Sequence, residues 1–269
     1  MKHTLKIILP VISVALIMIF FAGNNKGNKI SPPMLSANNS SAVWTDINEN
    51  EFIQKGSREI NAVRYRTLKA DMNQVRVMLS RAPFENSVHS DYIVELPMPY
   101  GGMSKFSITE YSMMEPALAD KFPDIKTYTI KGIDDPYATG KIDVTMHGFH
   151  AMVLSVRGDY FIDPYSRNEN EIYMCYFKKD FMTNKTFECS FDPEINSDNS
   201  EPVKVNGEIT SGTQLRTYRL ACASTGEYTA YHGGTVAGGL AAIVTSVNRV
   251  NGVYEKDLSV RMVLIGNNN

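Results

Sequence analysis

The chain opens with an unbroken apolar run from Ile7 to Ala22, preceded by Lys2, His3 and Lys6 and followed by polar Gly23-Asn24-Asn25-Lys26. A charged stretch, an apolar core and a polar exit are the layout of an export signal, and the run falls short of the ~20 residues that span a bilayer. Residues 1–23 therefore read as a signal peptide or N-terminal anchor. A secreted or extracellular destination is expected, with membrane contact only through residues 7–22 if the signal stays on. Residues 24–43, rich in Asn, Ser, Pro and Gly, read as a solvated linker.

The next pattern is helical. Asp71 stands where it can cap a helix in which Met72, Val75, Met78 and Leu79 share one face, and Ala82-Pro83 stops it. Short runs of β-formers then follow, broken by Gly, Pro and Asp, at residues 92–96, 104–109, 141–146, 150–156, 160–163 and 172–177. This spacing predicts antiparallel sheet, turned at sequences such as Pro99-Tyr100-Gly101-Gly102 and Arg157-Gly158-Asp159.

Between Ser190 and Thr213 apolar residues nearly vanish, which predicts a mobile boundary open to proteolysis. Beyond it, Leu215 to Ser224 is β-type, and Thr235 can cap a helix striped by Val236, Leu240, Ile243, Val244, Val247 and Val250. Asn251-Gly252 is expected to end that helix, and Ser259 to Ile265 resumes as a strand. Two strands joined this way should lie parallel with a right-handed crossover. The predicted class is α+β: a β-rich domain over 44–189, a flexible connection over 190–214, and an incomplete α/β β-α-β unit over 215–269. Three elements in about 55 residues bury little surface for a free-standing domain, so the chain is expected to be cut short within this unit.

Charge and cysteine content narrow the classes. A net charge of -2 leaves no basic surplus to follow a phosphate backbone, so no nucleic-acid partner is expected. Cys175, Cys189 and Cys222 are too few and too scattered for a disulfide framework, and none forms a C-x-x-C pair.

The glycine-rich turn His232-Gly233-Gly234-Thr235-Val236-Ala237-Gly238-Gly239 lacks the G-x-G-x-x-G and G-K-[ST] spacings of phosphate loops, and close helix-to-sheet packing is the plainer reading. His147 and His150 stand three apart in a strand-turn-strand pattern. Alternation puts them on opposite faces, with Gly148 marking the turn and a structural role expected. The five histidines show no H-E-x-x-H, so no catalytic zinc is expected in this chain alone. No G-x-S-x-G elbow is present. Cys189, beside the predicted mobile stretch, is a candidate zinc ligand toward another domain, against the plain alternative of a small packed hydrophobe.

Residues 215–266, LRTYRLACASTGEYTAYHGGTVAGGLAAIVTSVNRVNGVYEKDLSVRMVLIG, closely resemble the start of the catalytic domain of bacterial reprolysin-like zinc metalloproteases of the metzincin class. Upstream, TLKADMNQVRVMLSRAPFE, ELPMPYGGMSKFSITEYSMMEPALADKFPDIKTY, GIDDPYATGKIDVTMHGFHAMVLS, FIDPYSR and CYFKKDF are similar to propeptides of the same proteins. The resemblance implies a metzincin-like β-α-β unit behind a propeptide, in a secreted endopeptidase made as a zymogen. It also implies zinc in the full-length enzyme, bound through an extended H-E-x-x-H motif, and peptide or protein substrates. The propeptide would pack on its own catalytic domain. Cys189 in TFECS is the position matched to an inhibitory zinc ligand, although no switch motif surrounds it, and Cys175 is the weaker match. Processing is expected within 190–216, with Arg216 and Thr217 at the edge of the mature enzyme. No catalytic residue carries over to this chain. The alternative is a secreted or membrane-tethered, non-catalytic binding or inhibitor module that reuses the propeptide fold.

Overall fold

In the computed structural model, which describes residues 43–87, 92–183 and 214–266, a nine-stranded antiparallel sheet curls into a nearly closed barrel. Its strands are β1 (Trp44–Asp46), β2 (Arg66–Ala70), β3 (Ile93–Pro97), β4 (Met103–Tyr111), β5 (Lys126–Gly132), β6 (Thr139–Thr145), β7 (Gly148–Leu154), β8 (Tyr160–Pro164) and β9 (Ile172–Phe177). Their order is β1-β2-β9-β8-β7-β6-β5-β4-β3, so β3 to β9 follow one another as hairpins and β2 returns to pair with β9. The predicted signal over 1–23, the linker as far as residue 42, His89, Cys189 and the predicted mobile stretch over 190–213 lie outside the described residues.

Strand side chains alternate between the two faces. The inward set, including Leu68, Leu96, Phe106, Ile130, Ile142, Phe149, Ile162 and Tyr173, fills the barrel. Trp44 meets Phe149 and Tyr173 edge-on, with ring centroids 5.2 and 5.5 Å away. Helix α1 (Met72–Leu79) plugs this core with Val75, Met78 and Leu79, and Asp71 caps it as predicted, accepting from the Asn73 and Gln74 amides. The ring stops short of a full ladder. Across the seam, the Arg66 guanidinium donates to the carbonyls of Met98 and Gly102, and the buried Cys175 thiol reaches Pro97 O at 3.3 Å. Cys175 thus faces the core, and burial pushes its thiol well above the ordinary range.

A four-residue helix α2 (Pro116–Ala119) follows β4. The C-terminal elements are β10 (Arg216–Leu220), α3 (Gly226–Tyr231), α4 (Val236–Leu258) and β11 (Val260–Leu264), with β10 and β11 parallel as predicted. Thr235 caps α4 through its hydroxyl, which accepts from the Gly238 amide. A side chain on Gly238 would run into the carbonyl of His232, so this glycine serves close packing.

Several expectations change. Helix α4 does not end at Asn251-Gly252 but continues to Leu258, where Ser259 takes a left-handed conformation. Asn251 instead turns its amide onto β11, donating to Met262 O and accepting from Met262 N, both at 2.8 Å. Gly252 allows a close approach of the helix to the barrel, because a Cβ there would lie 2.5 Å from Met152 Cε. The apolar stripe is also rotated from the predicted one. Val236 and Val250 are 57% and 38% exposed, while Ala241, Asn248, Asn251 and Gly252 are buried. Strands β1, β2 and β5 and helix α3 were not foreseen; β2 and β5 interleave Lys and Arg with their apolar residues, which hides the alternation.

Candidate functional site at the junction of barrel and C-terminal helix

Helix α4 lies across the outer faces of β6 and β7, and this contact gathers most of the molecule's buried charge. Lys141 and Asp143 project outward from β6, alternating with Ile142 and Val144, yet they are 3% and 1% exposed. The Asp143 carboxylate accepts from Thr245 Oγ1 at 2.7 Å, His150 Nδ1 at 3.0 Å and Asn248 Nδ2 at 3.1 Å. Burial on its own would raise this carboxyl, but the facing His150 and the Thr245 hydroxyl outweigh it and hold Asp143 below the usual carboxylate range. Asn248 also donates to Ile142 O at 3.0 Å and accepts from the Tyr111 hydroxyl at 2.5 Å.

Beside this network runs a ladder of alternating charge. Lys141 Nζ meets both Glu255 oxygens at 2.8 Å, Glu255 meets Arg261 Nε at 2.6 Å, and Arg261 Nη1 meets both Glu85 oxygens within 2.8 Å. The Tyr111 ring lies between the two cations, 4.0 Å from Lys141 and 4.6 Å from Arg261. The outer rungs, Lys141 and Glu85, belong to the barrel and the inner rungs to α4 and β11. Glu255 faces two cations, which outweigh its burial and hold its carboxyl low. Lys141 has lost its water and shares its single carboxylate with Arg261, so its ammonium is pushed down to about 8. A third contact pairs Asp163 of β8, which also accepts from Tyr176 at 2.8 Å, with Arg249 of α4.

Backbone joins the two parts as well. Met113 O accepts from Leu264 N at 2.8 Å and Leu264 O from Glu115 N at 2.9 Å, so the segment after β4 meets the edge of β11 in an isolated parallel bridge at Met114. Glu115 then takes the Gly266 amide at 2.7 Å and pairs with Arg219. Tyr111, Met113, Leu118 and Ile125 close over Leu240, Val244, Val247 and Leu264 in one apolar cluster.

A cavity of about 590 Å³ opens at one end of this contact. His147, His150 and Ser166 line it from the barrel, and Tyr228, His232 and Arg249 from the C-terminal side. The two histidines expected on opposite faces therefore share one wall: His147 sits in the turn before β7, outside the strand alternation, where its Nε2 donates to Gly238 O at 2.9 Å. Its ring lies 5.8 Å from that of His232, whose pKa is depressed by burial and by His147. The Ser166 hydroxyl is buried without a partner.

Of the residues singled out by sequence, Cys189 lies outside the described residues, and Arg216 and Thr217 are exposed at the start of β10. Lys141, Asp143, Asn248, Glu255 and Arg261 were missed. Their signal was present in charges alternating with β-branched residues along β6, and in asparagines set at helical spacing among valines in α4. Among the described residues, no three His, Cys, Asp or Glu side chains are placed to hold a metal ion, so these residues do not fit a zinc centre. No described helix is long and apolar enough to cross a membrane.

No curated protein matches this chain. A solved structure titled "Structure of a chaperone-substrate complex" is similar at 16% identity over 48% of this chain and 97% of its own, with a TM-score of 0.32. Residues 214–269, which hold β10, α3, α4 and β11, match the family described as metallo-peptidase family M12B, reprolysin-like.

Proposed function

We propose that the chain is the N-terminal part of a secreted zinc-dependent metalloendopeptidase precursor, with the barrel as its propeptide and β10, α3, α4 and β11 opening the catalytic domain. The observation that carries this reading is the metallopeptidase match on residues 214–269, a segment whose long helix is covered along one side by the barrel. A helix striped with Leu240, Val244 and Val247 needs an apolar cover. The barrel supplies one, together with charge partners for Glu255 and Arg249, as suits a propeptide that steadies the first elements of an enzyme while the rest folds. In this reading zinc and the peptide or protein substrates belong to the whole precursor, and residues 1–23 direct export. Processing falls within 190–216 at the edge marked by Arg216 and Thr217, and Cys189 contributes an inhibitory ligand.

The test uses the full-length precursor. Hydrolysis of an unfolded protein substrate should appear once the N-terminal region is removed, vanish with a chelator and return with zinc. A full-length protein that never hydrolyses peptides overturns the reading. N-terminal sequencing of the mature form should give a start near Arg216, and a start well beyond Tyr218 contradicts that edge. Replacing Cys189→Ala should release activity early, and unchanged latency removes the cysteine from the scheme.

A further inference from the structure

We infer that His147 and His232 form an acid-sensitive latch: as pH falls from about 7 to about 5 the pair gains charge, and α3 and the first turn of α4 come away from the barrel. The inference goes beyond the peptidase reading and stands on the contact itself.

The two imidazoles come from opposite sides of the contact. His147 sits in the tight turn joining β6 to β7, and His232 ends α3 just before Gly233-Gly234. Both rings are partly buried, with centroids 5.8 Å apart. Both residues also bear on the start of α4. His147 holds the carbonyl of Gly238 at 2.9 Å, and the carbonyl of His232 occupies the space where a Gly238 Cβ would stand. Tyr228 and Tyr231 pack against the His232 ring at 4.5 and 5.0 Å. A neutral pair suits this nest of rings, and a doubly charged pair does not.

The surrounding charges leave little to absorb that change. On the barrel, the Arg167 guanidinium lies 4.0 Å over the Tyr231 ring and adds a further positive charge. Glu59 favours a charged His232, but it already serves Arg167 and the Tyr231 hydroxyl. The other charges lining the cavity are matched: Asp163 with Arg249, His150 with Asp143, and Glu169 with Lys55 and three backbone amides. The N-terminal end of α4 opposes a cation at His147, while the six residues of α3 offer little help to one at His232. Burial and His147 together hold the His232 pKa below the ordinary histidine value. The closed contact therefore takes up a proton at lower pH than the open one. Its hold is complete above the ordinary histidine range and is lost as pH falls through it.

The test follows amide hydrogen exchange in the whole chain at about pH 7 and about pH 5, with intrinsic rates corrected for pH. Two like charges at this separation, screened by partial exposure, should lower the protection of residues 226–240 about 5-fold, while β6 and β7 keep theirs. His232→Gln should retain that protection at the lower pH. His147→Gln, which still offers a donor to Gly238 O, should do the same and should also raise the midpoint at which the His232 ring titrates by NMR. Protection of residues 226–240 that ignores pH in the parent overturns the inference. So does an acid loss that persists in both variants, or a His232 midpoint unmoved by His147→Gln. If His232→Gln fails to fold, His147→Gln carries both readouts alone. Failure of the full-length precursor to hydrolyse peptides would undo the peptidase reading and leave this pH response untouched; a missing pH response would undo this inference alone.

Discussion

Replacing Asp143 with alanine tests whether the buried network is what joins the barrel to α4. The carboxylate is almost wholly buried and accepts from Thr245, His150 and Asn248. Removing one member of a buried charged set costs about 3–5 kcal/mol. Two of the three donors keep an alternative: Thr245 still reaches Ala241 O at 3.3 Å and Asn248 still reaches Ile142 O at 3.0 Å. All three lose the carboxylate but two keep another acceptor, so the expected loss is at the low end, about 3 kcal/mol, or a fall in Tm of about 6–12 °C for a chain of this size. The pH dependence follows from the direction of the shift. Asp143 titrates lower in the folded chain than in the unfolded one, so its contribution is complete above the ordinary carboxylate range and is lost as pH falls through the folded value. The gap between parent and Asp143→Ala should therefore be full at pH 7 and close below about pH 4. Urea titrations at stepped pH measure it, with Asp143→Asn falling between the two. A gap under about 1 kcal/mol at pH 7 would refute the reasoning, as would one that stays constant into acid.

Lys141→Met should be neutral or up to about 2 kcal/mol stabilising at pH 7, because the buried ammonium is charged there at a cost while Glu255 keeps Arg261. The parent should catch up as pH rises from about 8 toward about 10.5, where its unfolded state holds a proton that the folded state has released; a large loss in the variant at pH 7 would contradict this. Thr235→Ala should cost about 1 kcal/mol by denaturant unfolding through loss of the cap on α4. Val244→Ala should cost about 2 kcal/mol and Val236→Ala under about 0.5 kcal/mol; similar losses at both would restore the stripe expected from sequence.

Local chemistry was legible where it is self-contained. Asp71 and Thr235 cap helices because an oxygen side chain just before an apolar period satisfies amides within its own turn, whatever surrounds it. The hairpins from β6 to β9 were legible for the same reason, with turn residues standing between β-formers. What escaped depends on distant partners. Asn251-Gly252 carries the residues of a helix end, but β11 takes the asparagine and the barrel needs the glycine, so the helix runs on. Lys141 and Asp143 look like the wet face of a strand until α4 covers them, and His147 escapes strand alternation because it sits in the turn. No local pattern announces which surface a helix will cover.

The junction between Arg66 and the carbonyls of Met98 and Gly102 sets where the barrel gives way. Elsewhere each strand is stitched to its neighbours by ladders of amides, but here side chains act as the buckle of the belt: the Arg66 guanidinium, the Cys175 thiol and the Tyr100 hydroxyl, which donates to Asp180 at 2.6 Å. Opening it sacrifices few bonds and leaves the remaining pairings intact, so amide exchange should begin around β1 and β3 and reach β6 and β7, pinned beneath α4, last of all.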